Sequence, residues 1–312
     1  IRDRVASRGL GDVYKRQFMG NPQFAVPVLQ KIIDSKHHLL AVVSNPPKKM
    51  GRGNLSKYTP IGDFSRKKGL PLIHPETLGS SLFQDKIKAL KPDIFIVVAY
   101  KILPSSLINI PKFGALNLHA SLLPKYRGAG PIQWALMNGD KTTGITIFQI
   151  KPKLDTGDIL FQKEYPISES DNMYSLGMRL CNRGSKYIVK IIDEIYEGKI
   201  RAVPQDSNKA TSAPKITKEM TKINWSWPAQ KIHNWVRGLS PFPGMVTKYK
   251  RKNLRIFSTE LYPGLARNIG KIYLINKKEL IISTGDGLLS ILEVQLEGKK
   301  RMDIQNFLNG NI

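Results

Sequence analysis

With 312 residues, 41% apolar side chains, 8% aromatics and 25 glycines, the chain can bury a sizeable core as one large or two unequal domains, which excludes a disordered chain. No apolar run approaches the roughly 20 residues of a membrane helix, and the single cysteine, Cys181, excludes an internal disulfide and a cysteine-cluster zinc site. A net charge of +25 attracts polyanions, either nucleic acid or an anionic membrane surface, unless it serves only to keep a Lys-rich protein in solution.

Residues 1–17 (IRDRVASRGLGDVYKRQ) are polar and Arg-rich, without an apolar h-region or a helical period, so they read as neither a secretory signal nor a membrane anchor. Asp3 and Asp12 count against a transit peptide. The run Asp12 to Gln17 also matches the translation of a common sequencing-library adapter. Residues 1–17 are therefore expected to be non-native, leaving Phe18-Met19-Gly20 as the stub of a first strand.

From Phe18 to Pro22 the pattern is strand end, tight turn and helix start, with Asn21 as cap and Pro22 at the first helical position. Phe24, Val28, Leu29, Ile32 and Ile33 then recur at helical spacing. His38 to Val43 suits a buried parallel strand, and a loop rich in Pro, Lys and Gly follows from Asn45 to Lys57. Helices near 60–68 and 81–90 flank a short strand at Leu72-Ile73. Asp93 to Ala99, β-branched and uncharged after its first residue, is the strongest strand signal. Ala115 to His119 is extended, Pro131 to Met137 helical, and 144–149 pairs with 159–165. A long helix over 170–196 carries Ile188, Ile191, Ile192 and Ile195 on one stripe, and Cys181 reads as a small buried hydrophobe within it. Strand alternating with helix predicts an α/β, doubly wound, mostly parallel sheet.

At Pro204 to Pro214 the composition turns polar and breaker-rich, which reads as a linker. Beyond it, a helix near 229–237 precedes short strands at 245–249, 253–258, 270–275, 279–283 and 287–294, the spacing of a small C-terminal OB-like β-barrel. From Asn208 onward eighteen Lys and Arg face seven Asp and Glu, so this region holds a large share of the positive charge. Gly20 stands alone without the spacing of a phosphate-cradling glycine loop, which argues against a nucleotide cofactor.

Asn117 and His119 alternate along one strand and so project from the same face, at the carboxyl end where open α/β sheets place their ligands. Asn supplies a neutral donor to a carbonyl oxygen gaining charge, and His titrates near neutrality and can shuttle a proton. Ser121 to Pro131 (SLLPKYRGAGP) is a long loop of special residues, and Asp155-Thr156-Gly157-Asp158 a second turn whose carboxylates are candidates to orient the imidazole. On these residues alone, a satisfied structural histidine and two turn-forming aspartates remain open.

Residues 117–131 (NLHASLLPKYRGAGP) together with 154–159 (LDTGDI) resemble the signature of the folate-dependent formyltransferases. The resemblance implies a doubly wound domain, catalytic roles for Asn117, His119 and Asp155, binding of 10-formyltetrahydrofolate through Ser121, Leu122, Leu123 and Pro124, and no metal. FMGNPQFA at 18–25, Gly51-Arg52-Gly53, Trp225-Ser226, GLSPFP at 238–243 and Thr284 to Gly287 are similar to the branch of that family whose substrate is initiator methionyl-tRNA. In that branch a basic loop, here Arg52 with Lys48 and Lys49, enters the tRNA acceptor stem and a C-terminal barrel holds the RNA backbone. Arg52 as a merely solvated loop charge is the alternative. Lys151-Pro152-Lys153 is more basic than the corresponding segment of the family, and Tyr100-Lys101-Ile102 stands where a Gly-containing turn is usual beside the pterin. The expected organisation is a non-native segment at 1–17, a formyltransferase catalytic domain at 18–203, a linker at 204–214 and an OB-like tRNA-binding domain at 215–312. A monomer in the cytoplasm, or in an organellar matrix, is expected. The alternatives are a small-amine formyltransferase, acting on a purine-pathway or amino-sugar substrate, and a non-catalytic RNA-binding relative.

Overall fold

A computed structural model describes residues 14–50, 54–266, 268–275 and 278–311 of the chain. The first elements are β1 (Lys15–Gly20), α1 (Val26–Ile33), β2 (His38–Val43) and a two-stranded hairpin of β3 (Lys48–Met50) and β4 (Leu55–Lys57). There follow α2 (Pro60–Lys67), β5 (Leu72–Ile73), α3 (Ser81–Ala89), β6 (Ile94–Val98), α4 (Ser105–Ile108) and β7 (Ala115–His119). Next come α5 (Pro131–Met137), β8 (Thr142–Gln149), β9 (Ile159–Pro166) and the long α6 (Met173–Tyr196).

A seven-stranded sheet has the order β5-β2-β1-β6-β7-β8-β9. β1 runs parallel to both β2 and β6, β6 runs parallel to β7, and β8 is antiparallel to β7. The chain winds outward from β1 in one direction and then in the other, so the order reverses beside β1, where doubly wound sheets open a crevice at the strand ends. β6 (IFIVV) is buried at every position, as expected of an interior parallel strand covered on both faces. Met19, Val43, Phe83, Ile87, Phe95 and Val97 belong to one buried cluster on this sheet.

Two details of β1 differ from expectation. The strand starts at Lys15, three residues before the expected stub, and the side chains of Arg16 and Gln17 are fully buried. Parallel pairing uses the backbone alone, and Gln17 takes its place opposite Ala41 and Phe95 whatever its side chain. Arg16 Nη1 donates to Ser35 Oγ at 3.1 Å, whereas its Nε and Nη2 and both amide atoms of Gln17 have no hydrogen-bond partner among the described residues. Burial pushes the Arg16 guanidinium down to about 10 despite nearby Asp193 and Tyr196. The expected cap Asn21 does not cap a helix. Its Oδ1 accepts from Asn45 N (2.9 Å) and Ser44 Oγ (3.0 Å), tying the chain after β1 to the chain after β2, while a 3-10 turn at Gln23–Ala25 precedes α1.

The C-terminal part contains α7 (Ala229–Gly238), β10 (Met245–Tyr249), β11 (Lys252–Leu265), β12 (Ile272–Ile275), β13 (Glu279–Ser283), β14 (Gly287–Leu296), β15 (Met302–Asp303) and α8 (Ile304–Asn311). The five expected strands are present, with β11 far longer than expected because it pairs with β10 and β14 along different parts of its length. They form an antiparallel sheet, β10-β11-β14-β13-β12, to which β15 adds beside β14.

By its internal contacts the chain forms two compact units that are interleaved in sequence. One holds the described residues up to 119 with 145–162 and 181–205; the other holds 120–144, 163–180 and the described residues from 206. This is not the linear division at 203 expected above, and the reason lies in α5. Met137 is buried in the same core as Ile232, Val236, Leu239, Met245 and Leu254, and the Trp134 and Trp235 rings meet edge to face at 6.3 Å. Gly238 allows that approach: a Cβ there would fall 2.7 Å from Met137 Cγ and 3.0 Å from the Gln133 carbonyl oxygen.

Candidate active site

β7 is registered so that Asn117 opposes Phe148 and His119 opposes Thr146 on β8, which puts Asn117 and His119 on one face and Leu116 and Leu118 on the other. Leu118 is seated on Gly184 of α6, where any Cβ would lie 2.7 Å from its methyl groups. The strand is thus fixed from behind by a close helix approach, and the polar face is presented forward. His119 is buried, with its ring 6.3 Å from Phe148 in an edge-on arrangement.

Asp155 comes from the turn between β8 and β9. Its Oδ2 lies 4.0 Å from His119 Nδ1, and the two side chains are only 7% and 10% exposed. A carboxylate at that distance can orient the imidazole ring. The sequence left open which aspartate would face the histidine, and the geometry separates the two. Asp158 instead takes Lys151 Nζ at 2.9 Å, and the Lys153 carbonyl accepts from Thr156 Oγ1. The unusual basic run before Asp155 therefore spends Lys151 on Asp158.

In the second unit, the Ser121–Pro124 segment begins a loop held by its own hydrogen bonds. Ser121 is buried, and its hydroxyl donates to the Lys125 carbonyl at 2.7 Å. Leu122 fits against Gly144, where a Cβ would come within 2.3 Å of it; Leu123 is buried and joined to Pro124 by a cis peptide bond. The loop continues into a short ladder with the supposed linker: Thr211 N donates to Pro124 O, Arg127 N to Thr211 O, Ala213 N to Arg127 O and Gly130 N to Ala213 O. Gly128 is required at this contact, since a Cβ would sit 2.5 Å from the Ala213 oxygen. Residues 211–213 are thus bound to the loop along their backbone. Composition alone could not reveal this, because such pairing leaves no hydrophobic period.

Lys48 and Lys49 are exposed on the β3–β4 hairpin, paired with Lys57 and Ser56. Arg52 lies outside the described residues. Sequence reasoning missed Gln205, whose amide reaches the Asp155 turn, and Gly157, which packs on the Gln149 carbonyl. The polar surroundings of Gln205 gave no signal, whereas Gly157 stood inside the LDTGDI motif.

The Formyl transferase family matches residues 16–192, and the Formyl transferase, C-terminal domain family matches 215–311. Among curated proteins, the chain is 45% identical to the methionyl-tRNA formyltransferase of Thermodesulfovibrio yellowstonii over 294 residues, covering 94% of each chain. It is 40% identical to that of Caldanaerobacter subterraneus subsp. tengcongensis over 296 residues, covering 94% of this chain and 96% of the relative. Among solved structures, HypX from Aquifex aeolicus in complex with tetrahydrofolic acid shares the fold at a TM-score of 0.69 and 15% identity, over 94% of this chain and 46% of that one.

Proposed function

We propose, for a chain that belongs to the formyl transferase family, that it moves the formyl group of 10-formyltetrahydrofolate onto the α-amino group of the methionine carried by initiator tRNA. The observation that carries this reading is the pairing of buried His119 with the little-exposed Asp155, with Asn117 two residues before His119 on the same face of β7. The methionyl amine attacks the formyl carbon, the carbonyl oxygen takes up the electron pair, and the bond to the folate nitrogen breaks as the carbonyl re-forms. The amine attacks in its neutral form, which a pKa of about 8 makes partly available at physiological pH. Asn117 and His119 hold the oxygen while it is negative. His119, kept in orientation by Asp155, takes the proton the amine loses and returns it to the departing nitrogen. No side-chain nucleophile is needed, because the amine is the nucleophile.

Ser121 to Pro124 are the residues that would hold the folate. The Tyr100 hydroxyl, just after β6, is buried without a partner among the described residues, and burial pushes it up to about 12; such a donor suits a polar ring such as a pterin. The tRNA is held through phosphate contacts by Lys48, Lys49 and Arg52 and by the C-terminal region. There a cavity of about 1140 Å³ is lined by Lys215, Lys218, Lys222, Lys248 and Arg255, beside the exposed ring of Phe242. Along the sequence, catalysis is assigned to 18–203, extended back to β1 at Lys15, and tRNA binding to the OB-like region at 215–312, with 120–144 and 163–180 belonging to the same compact unit as the latter; the chain acts as a monomer in the cytoplasm.

The deciding experiment is formyl transfer to purified initiator methionyl-tRNA with 10-formyltetrahydrofolate as donor. The KM for tRNA should rise steeply with salt while that for folate changes little. Transfer only to a free amino sugar or a ribonucleotide amine would defeat this assignment.

A further inference from the structure

Of the three site residues, Asp155 is the one outside any regular element, and its φ of +49° lies in the left-handed region that costs a non-glycine residue energy. The surrounding contacts must hold it there. Within the turn, Thr156 Oγ1 donates to the Lys153 carbonyl at 2.9 Å. On one side, Gly157 lies against the Gln149 backbone. From 48 to 50 positions further along the chain, Gln205 Nε2 donates to the carbonyl of Asp155 at 3.0 Å and to that of Gly157 at 2.7 Å.

A primary amide carries two N–H groups, and here they reach two carbonyls that bracket Thr156. The side chain thus staples the turn at both ends. A glutamate at 205 would aim lone pairs at two carbonyl oxygens. A methionine has the same reach without a donor, and an asparagine keeps the donors but is one methylene short.

We propose that Gln205 is a positioning residue for formyl transfer: its carboxamide fixes the Asp155–Gly157 turn and thereby aims the Asp155 carboxylate at His119 Nδ1. The proposal rests on the assignment of Asn117, His119 and Asp155 as the reacting site.

The test is a double-mutant cycle on the full chain, comparing wild type, Gln205→Met, Asp155→Ala and the double variant by kcat, by KM for methionyl-tRNA and by melting temperature. Gln205→Met should lower kcat about tenfold to a hundredfold, since a displacement near 1 Å costs up to about 10² in rate. Its KM for tRNA should stay near the wild-type value. In the Asp155→Ala background the same change should cost nothing further, because its effect passes through the missing carboxylate. Should Gln205→Met fail to fold, Gln205→Asn enters the same cycle in its place. Wild-type kcat in the Gln205 variant, or losses that multiply in the double variant, would overturn the positioning role and leave the site assignment intact. Wild-type kcat in Asp155→Ala would overturn the site assignment, and this proposal with it.

Discussion

The backbone of Gly157 rests so closely on Gln149 that a Cβ built at 157 would stand 1.5 Å from the Gln149 carbonyl oxygen. That contact fixes the height of the Asp155 turn above β8. Gly157→Ala must push the turn away, carrying the Asp155 carboxylate with it. Activity in the variant should fall by about 10² or more, as for misplacements near 1 Å. Steady-state kinetics with methionyl-tRNA is the check, and near-normal kcat would show that the turn's position is immaterial.

His119, Asn117 and Asp155 should separate chemistry from binding. Asn117→Ala is expected to lose about 10²–10³ in kcat, the usual cost of one oxyanion donor. His119→Ala should abolish turnover, and Asp155→Asn should slow it by up to about 10⁴ with the fold unchanged. All three should bind methionyl-tRNA as the parent does in a filter-binding titration. An equal loss of tRNA affinity would place these side chains in recognition instead.

Gln17 presents a prediction of the opposite sign. Its amide is buried in the middle of the parallel sheet with neither polar atom paired among the described residues, a situation that costs about 1–3 kcal/mol. Gln17→Val, a β-branched apolar residue facing the same strands, should raise the melting temperature. A lower midpoint on thermal unfolding would mean that the amide is satisfied after all.

His233, on α7, gives a pH dependence. Burial first, and the neighbouring Arg237 second, push its imidazole down to about 4, while its Nδ1 lies 3.1 Å from Thr259 Oγ1. The fold holds this ring neutral. Below pH about 6.5 the unfolded chain takes up a proton that the folded chain refuses. Stability from this site is therefore complete above that value and is lost progressively as the pH falls toward about 4. Melting temperatures of the parent and of His233→Leu, followed from pH 7 to pH 4, should converge on acidification. Parallel curves would discount the imidazole.

Much of this molecule was legible in its residues, for reasons that differ by element. β6 could be read because an interior parallel strand needs five consecutive buried side chains, and IFIVV supplies them. Asn117 and His119 could be read because strand alternation alone puts them on one face. Asp155 was named by its motif, but its separation from Asp158 depended on where Lys151 reached, which is set by the fold. Arg16 and Gln17 belong to a polar run without apolar or helical pattern that matches an adapter translation, so nothing in it signals a strand; backbone pairing places them in the sheet regardless. Gln205 and residues 211–213 looked like a tether because hydrogen bonds to backbone carbonyls leave no mark on composition.

The burial of Met137 among α7 and the C-terminal strands bears on how such chains can be recombined. Splicing at the apparent linker would graft a C-terminal region onto an α5 shaped for another partner. Trp134 and Met137 would then meet unfamiliar counterparts, and Gly238 would lose the surface it was fitted to. Exchange between relatives should succeed only when α5 travels with α7, so that the inheritable block is discontinuous in the gene although continuous in its core.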